Sequence, residues 1–316
     1  MVVFIHVIFP GKIGTVLETL ARFAVPFFFF ISGFYSYGIS PTKIINRIKK
    51  ILTLIIFATV SYTLFNISLL LLSGGWNDVS AYFSNYVDFG NVVKLIFLNI
   101  PVRLEYLWYL YAMLYVYIFF YFTTIFRVNE KVIFTLSFSL LIVHVLLVEV
   151  LSVYGIFIPS QFVRNFAVMG IPFFVVGSFA KIHQNKFRSV SNLAILLLII
   201  IGTIESILSR YFFDKKEIYF GSLFILFALV CVFIKYSTVS YHNFFTSLEG
   251  CSTYIYIFHD MVSKAIRAIY VVLGISVKKS VVLTNLHPLI VCISSTIFAY
   301  LLIKIKRRLN NYLDCV

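Results

Sequence analysis

Apolar runs of about 20 residues recur along the whole of this chain, and no other feature narrows its folding choices so sharply. A run of that length matches a hydrocarbon layer roughly 30 Å thick crossed by a helix rising about 1.5 Å per residue. Backbone N–H and C=O groups find no water partner inside such a layer, so each run must be helical unless the chain closes into a barrel. A barrel would be written in alternating segments of about ten residues. Leu193–Ile201 is continuously apolar instead, and the expectation is helices. Composition agrees: 61% of the 316 residues are hydrophobic and only 12% charged, where a soluble domain is nearer one half and one quarter. The fold expected is an all-α polytopic membrane protein in a single transmembrane domain over 1–316.

The runs divide into ten spans, near 1–9, 20–38, 51–72, 106–125, 132–151, 165–180, 191–209, 218–234, 251–272 and 281–303. The first is half the length of a span. It has neither the basic start nor the small-residue cleavage site of a signal peptide. The expectation is a chain that starts part-way through its first helix, N-terminally truncated. The longest connection, 73–105, is the one candidate for a small structured excursion.

A formal charge of +14 raises the question of nucleic acid. The basic residues, however, stand in short connections between apolar runs, which is the pattern that orients a chain in a lipid bilayer. Fourteen Lys and Arg fall on one set of connections, led by the clusters at 43–50 and 304–308. Nine fall on the other, Arg103, Arg164, Lys278 and Lys279 among them. The first set is expected to be cytoplasmic, with both termini inside and 73–105 outside. Cys231, Cys251, Cys292 and Cys315 are dispersed, with no CxxC, and read as small apolar residues and not as a metal or disulfide framework.

Ionisable groups at membrane depth are costly and usually face a protein interior or a polar cavity. His6 is either a histidine hydrogen-bonded between helices or a general base, since imidazole titrates near neutral pH. Arg22, at the outer end of its span, either snorkels or binds an oxygen-rich group through its planar fork. Glu205, alone in an apolar run, is either functional or paired with an arginine such as Arg210. His144 and Glu149, five apart, are off-register for a helical pair and read as structural. Asp260, Lys264 and Arg267 fall on one helical face and must look into the bundle, as an ion network or a polar cavity.

These segments together resemble the acyltransferase 3 family, ten-helix bacterial membrane O-acyltransferases. The Arg22–Tyr35 run is similar to the family's R-x-x-V-P-x-F-F-x-x-S-G-[YF] signature. His6 matches the histidine that closes its first-helix R-x10-H motif, whose arginine would fall ahead of Met1. Arg47-Ile48-Lys49-Lys50 resembles R-x-x-R, with Lys50 keeping the charge but not the bidentate fork. Leu107-Trp108-Tyr109-Leu110 is similar to the LW[FY]L of the fourth helix, and Arg164 to Gly177 to the sixth. Ser252 to His259 matches S-x-x-[IL]-Y-x-x-H.

The resemblance implies transfer of an acyl group, most often acetyl, from cytoplasmic acetyl-CoA to a sugar hydroxyl of an exported or cell-surface polysaccharide, in a bacterial cytoplasmic membrane. It gives His6 and Glu205 catalytic places, Arg47 and Lys50 the donor, and Arg22, Trp108, Arg164 and His259 the carbohydrate acceptor. No permanently bound cofactor, no metal and no nucleic-acid partner are expected. A polysaccharide polymerase and a transporter or flippase are the rival classes. The former would make the Arg22–Tyr35 signature a coincidence, and the latter would show inverted repeats, of which the sequence has none.

Reporter fusions at Ser40 and Asp78 should give opposite sidedness signals. Matching signals would mean that the span count is wrong by one.

Overall fold

The computed structural model describes residues 1–73, 75–84, 89–102, 104–156, 158–213, 215–236, 250–275 and 280–313. Arg103, Lys278, Lys279 and Cys315, used above in the charge and cysteine readings, lie outside them. In chain order the α-helices are α1 Val2–His6, α2 Gly11–Leu20, α3 Ala24–Phe34, α4 Pro41–Ser73, α5 Trp76–Ser84, α6 Phe89–Leu98 and α7 Trp108–Ile125. They continue as α8 Glu130–Val153, α9 Ser160–Val163, α10 Ile171–Ile182, α11 Gln184–Arg188, α12 Asn192–Phe213, α13 Phe220–Tyr236, α14 Cys251–Val272 and α15 Val281–Leu313. No strand occurs among the described residues.

Among the described residues six stretches are long and apolar enough to cross a membrane: Gly11–Phe34, Pro41–Leu72, Glu105–Ile125, Glu130–Val153, Asn192–Phe213 and Val281–Arg308. The expected sixth and eighth spans correspond to shorter apolar helices, Phe166–Ile182 and Phe220–Tyr236. The ninth, α14, has the length of a span but carries Asp260, Lys264 and Arg267. The expected first span is the five-residue α1. Membrane helices are therefore plain, and among the described residues six stretches meet the length and hydropathy that a crossing requires. The 73–105 connection does hold structure, namely α5 and α6.

The chain divides into two compact units, one made of Met1–Ala21 with Ser237–Val316 and the other of Arg22–Tyr236. In the larger unit, two glycine crossings bring helices to backbone contact. A Cβ at Gly33 would overlap the carbonyl of Phe174, and one at Gly177 the carbonyl of Phe30, so α3 and α10 touch main chain to main chain. The Ser178 hydroxyl donates to the Gly33 carbonyl at 3.2 Å across the same contact. Gly202 and Gly221 meet in the same way between α12 and α13. Lipid tails are as apolar as leucine, so helices in a membrane gain from close packing more than from apolar burial, and small residues permit it.

Aromatic rings fill the space around that contact. Phe29 and Phe30 are almost wholly buried, Phe29 lies 4.7 Å from the Tyr109 ring, and Phe34 lies 5.5 Å from Phe233 of α13. On α8, Phe134 and Phe138 pack edge-on against Phe179 of α10 at 5.6 and 5.3 Å. The outward faces of α4 and α8 carry Ile56, Leu64, Val143, Leu147 and Val150, all exposed, as suits a surface covered by lipid. Cys231 packs with Ile195 and Ala228 as a small apolar residue.

The smaller unit is built on α14 and α15, with α1 set against both. Val3 and Val7 bury against Val291, joined by Phe4, Ile255, Ile266 and Cys292. Cys251, at the start of α14, packs with Ala299 and Ile303.

Gly177→Ala forces a methyl into backbone that cannot withdraw and should cost about 1–3 kcal/mol, read as a lower melting temperature in detergent. Leu64→Ala, on the outward face of α4, should shift it little. Equal melting of wild type and Gly177→Ala would refute the crossing.

Candidate functional site

Two clusters of charged side chains in the larger unit flank α3. At the N-terminal side of α3, Arg22 is 4% exposed and donates from Nη1 to Glu217 Oε2 at 2.5 Å. Arg164 grips the same carboxylate with both arms of its fork, Nε to Oε2 at 2.8 Å and Nη2 to Oε1 at 2.7 Å. A buried guanidinium is tolerable only when paired, and the bidentate geometry adds direction to the charge. Burial pushes the Glu217 carboxyl up. The Arg22 and Arg164 guanidiniums more than offset that, and it ionises below the usual carboxylate range.

Arg164 is positioned by two asparagines. Asn99, buried and held at φ 49°, donates to the Arg164 carbonyl at 3.3 Å and accepts from the Phe166 N–H at 2.8 Å. Asn165 donates to the Phe97 carbonyl at 3.3 Å and caps the π-turn Phe166–Gly170 through the Ala167 N–H at 2.8 Å. The end of α6 and the entry to α10 are thus tied together around the arginine.

One residue before Glu217, Lys216 is buried and pairs with Glu149. Its ammonium also donates to the Ser209 hydroxyl at 2.8 Å. The other Glu149 oxygen accepts the Phe220 N–H at 2.9 Å, and Glu205 accepts the Gly221 N–H. The first two amides of α13 are therefore each met by a carboxylate, where the helix dipole is positive. Glu205, for which the sequence leaves a functional role and an arginine partner open, has a structural partner in the Gly221 amide. Glu149, read as structural, is an ion-pair and capping residue at once. Beside these groups lies a cavity of about 180 Å³, lined by Ser152, Ser160, Lys215, Lys216 and Glu217 with apolar walls from Val148, Ile156 and Ile158.

At the C-terminal side of α3, Arg47 closes the helix. Its Nη2 donates to the Tyr35 carbonyl at 2.9 Å. Its Nη1 donates to the buried Ser36 hydroxyl at 2.5 Å and to the Tyr117 hydroxyl at 3.2 Å. A cation on the last carbonyls of a helix suits its dipole. Lys50, one turn further along α4, is exposed, as are Lys43 and Lys49. Trp108, at the start of α7, is buried with its ring 6.2 Å from Phe29.

The smaller unit brings two motif histidines together. His6 ends α1, and its ring centroid lies 5.1 Å from that of His259 on α14. His259 is fully buried. Its Nδ1 lies 2.8 Å from the Tyr256 carbonyl and 3.1 Å from the Ile255 carbonyl. Carbonyls only accept, so Nδ1 carries the hydrogen and Nε2 is left with its lone pair. That Nε2 is buried with no hydrogen-bond partner among the described residues, a cost of about 1–3 kcal/mol for an acceptor taken out of water. On the same helix, Asp260 and Lys264 pair at 2.8 Å.

Sequence reasoning singled out Arg22 and Arg164 but missed Glu217, the residue that joins them, and Lys216, Asn99 and Asn165. Glu217 and Lys216 stand in the charged run Lys215–Glu217 between two apolar runs, which reads as a solvated turn. Lys216 is in fact 5% exposed. The one available signal was that a carboxylate in so short a turn between apolar runs is a natural counter-ion for a membrane arginine.

The family model described as an acyltransferase domain, Acyl_transf_3, matches residues 1–304 of the chain. No curated protein and no solved structure matches it.

Glu217→Gln leaves Arg22 buried without its counter-ion and should lower stability by about 3–5 kcal/mol. Because the folded carboxyl ionises below its ordinary value of 4.5, its contribution is complete above that pH and is lost as pH falls through the folded value. Melting temperature against pH should therefore show an acid limb in the wild type that is flattened in the variant. An identical limb in both would remove Glu217 as its source.

Proposed function

The chain belongs to the acyltransferase 3 family and is a membrane O-acyltransferase, and from that premise we propose that it moves an acetyl group from acetyl-CoA to a sugar hydroxyl of an exported or cell-surface polysaccharide. The observation that carries this reading is the placement of guanidinium groups at both ends of α3. Arg22 precedes the helix and Arg47 closes it, and eleven residues span roughly 16 Å. A short helix with a cationic group at each end suits a reaction whose anionic donor and polar acceptor arrive from opposite sides.

In this proposal the donor end is cytoplasmic. Acetyl-CoA carries several phosphate charges, and Lys43, Lys49 and Lys50 offer exposed ammonium groups around Arg47. Arg47, committed to Tyr35 and Ser36, holds the end of α3 and adds its charge to that field. The acceptor end is the Arg22–Glu217–Arg164 cluster with its adjoining cavity, whose mixed hydroxyl, carboxylate and ammonium lining suits the hydroxyls of a sugar. Both termini are on the cytoplasmic side of a bacterial inner membrane.

His6 is the general base. As the acceptor oxygen attacks the thioester carbonyl, the hydroxyl proton passes to the imidazole. A C–O bond forms, the C–S bond breaks, and the thiolate that leaves takes up the proton, so that ester and free thiol are the products. Glu205 acts at a distance from this step, by fixing the start of α13.

Membranes containing the protein, given labelled acetyl-CoA, should transfer label to polysaccharide. A polymerase or a flippase would transfer none. His6→Ala should lower turnover by about 10²–10⁴ at normal protein level. Wild-type membranes that hydrolyse no thioester and label no sugar would overturn the reading.

A further inference from the structure

We propose that His259 is the positioning residue for His6, accepting through its Nε2 the N–H on the His6 ring nitrogen that does not take the hydroxyl proton. The inference rests on the acyl-transfer reading above and adds a second imidazole to it. His259 meets the requirements of such a partner in three respects.

Its tautomer is set. The Tyr256 and Ile255 carbonyls hold the hydrogen on Nδ1, so the lone pair must sit on Nε2. Its lone pair is unused: Nε2 is buried and has no hydrogen-bond partner among the described residues. Its neighbour is the base itself, with ring centroids 5.1 Å apart. Two imidazoles joined edge to edge by one N–H···N bond of about 2.9 Å have centroids roughly 5 Å apart, so the observed spacing of the two rings is that of such a pair.

The surroundings keep the two rings in register. Ile255, one turn before His259, packs with Val3, Val7 and Val291. The apolar side of α1 is thereby anchored to α14 on both sides of His6. Inside an apolar bundle an imidazolium without a partner is strongly disfavoured. A lone pair held beside His6 lowers that penalty at the moment the proton arrives, because an N–H on a charged ring is the stronger donor. That division of labour accounts for an orphaned acceptor kept in the core of the unit. The proton is not lost to His259. It remains on His6 until the thiolate takes it, and the overall reaction is unchanged.

Asparagine and glutamine replacements in the full-length protein separate the two nitrogens. The Asn amide N–H reaches the position of Nδ1 and keeps the bond to the Tyr256 carbonyl, but leaves nothing where Nε2 was. The Gln amide oxygen reaches towards the position of Nε2. His259→Asn should insert and melt like the wild type, with unchanged KM for acetyl-CoA and kcat lowered on the order of 10²-fold. His259→Gln should recover a large part of that loss. In His6→Ala, adding His259→Asn should cost nothing further, because the partner has already gone. Wild-type kcat in His259→Asn, or losses that multiply in the double variant, would overturn the role of His259 while leaving acetyl transfer by the wild type standing. If His259→Asn does not insert, a folded His259→Gln as slow as His6→Ala overturns it equally. Wild-type protein that transfers no acetyl group sinks the parent reading and this inference together.

Discussion

The close approach of α3 and α10 at Gly33 and Gly177 governs the larger unit. Because the two backbones touch there, both ends of α3 are determined by a contact near one of them. Ser178 adds a hydroxyl bond to the Gly33 carbonyl, and the Phe29, Phe30 and Phe34 rings occupy the space that wider packing would have left open. In a membrane there is little apolar free energy to be gained by bringing helices together, so shape at the contact decides which helices meet. Small residues at two positions of one helix and its neighbour therefore do what a large apolar stripe does in a soluble protein.

Charge follows from that frame. An apolar bundle cannot hold isolated ions, and among the described residues of the larger unit the buried Arg22 and Lys216 are both paired: Arg22 shares Glu217 with Arg164, and Lys216 meets Glu149. The carboxylates of Glu149 and Glu205 also end on the Phe220 and Gly221 amides, so the same groups stabilise the start of α13. At the other end of α3, Arg47 satisfies carbonyl and hydroxyl oxygens with no carboxylate involved. One end is thus a network with a single excess positive charge among Arg22, Arg164 and Glu217, and the other carries Arg47 with the exposed ammonium groups of Lys43, Lys49 and Lys50. That asymmetry underlies the proposed division between acceptor and donor.

The smaller unit works by a different economy. His259 satisfies one ring nitrogen with backbone carbonyls and leaves the other bare. A core selected for stability alone would favour an apolar side chain there, since an orphaned acceptor is destabilising and a hydrocarbon of similar size is not. Keeping it beside His6 makes sense as preorganisation, in which the environment is shaped to the charge that develops during reaction and not to the neutral resting state.

Apolar run length and the interruption of those runs by basic turns determined by themselves that this chain is a helical membrane protein, because a hydrocarbon layer admits few alternatives. Ordered motifs from Arg22 to His259 made the acyltransferase family legible as well. The number of true crossings was less so: α10 and α13 are short, α14 carries three charges, and one-dimensional hydropathy cannot tell a short buried helix from a full span. Partners were least legible. Arg22, Arg164 and Glu217 are separated by 142 and 53 positions or more, and nothing local in the run 215–217 marks it as buried. Glu205 looked like a lone carboxylate until helix α13 supplied an amide for it. Which nitrogen of His259 is bound and which is bare depends on the coil of α14 around its own carbonyls. The sequence alone sets solvent and helix; only the tertiary structure decides which charges meet, because pairing depends on distances through space that helix packing creates and spacing along the chain does not encode.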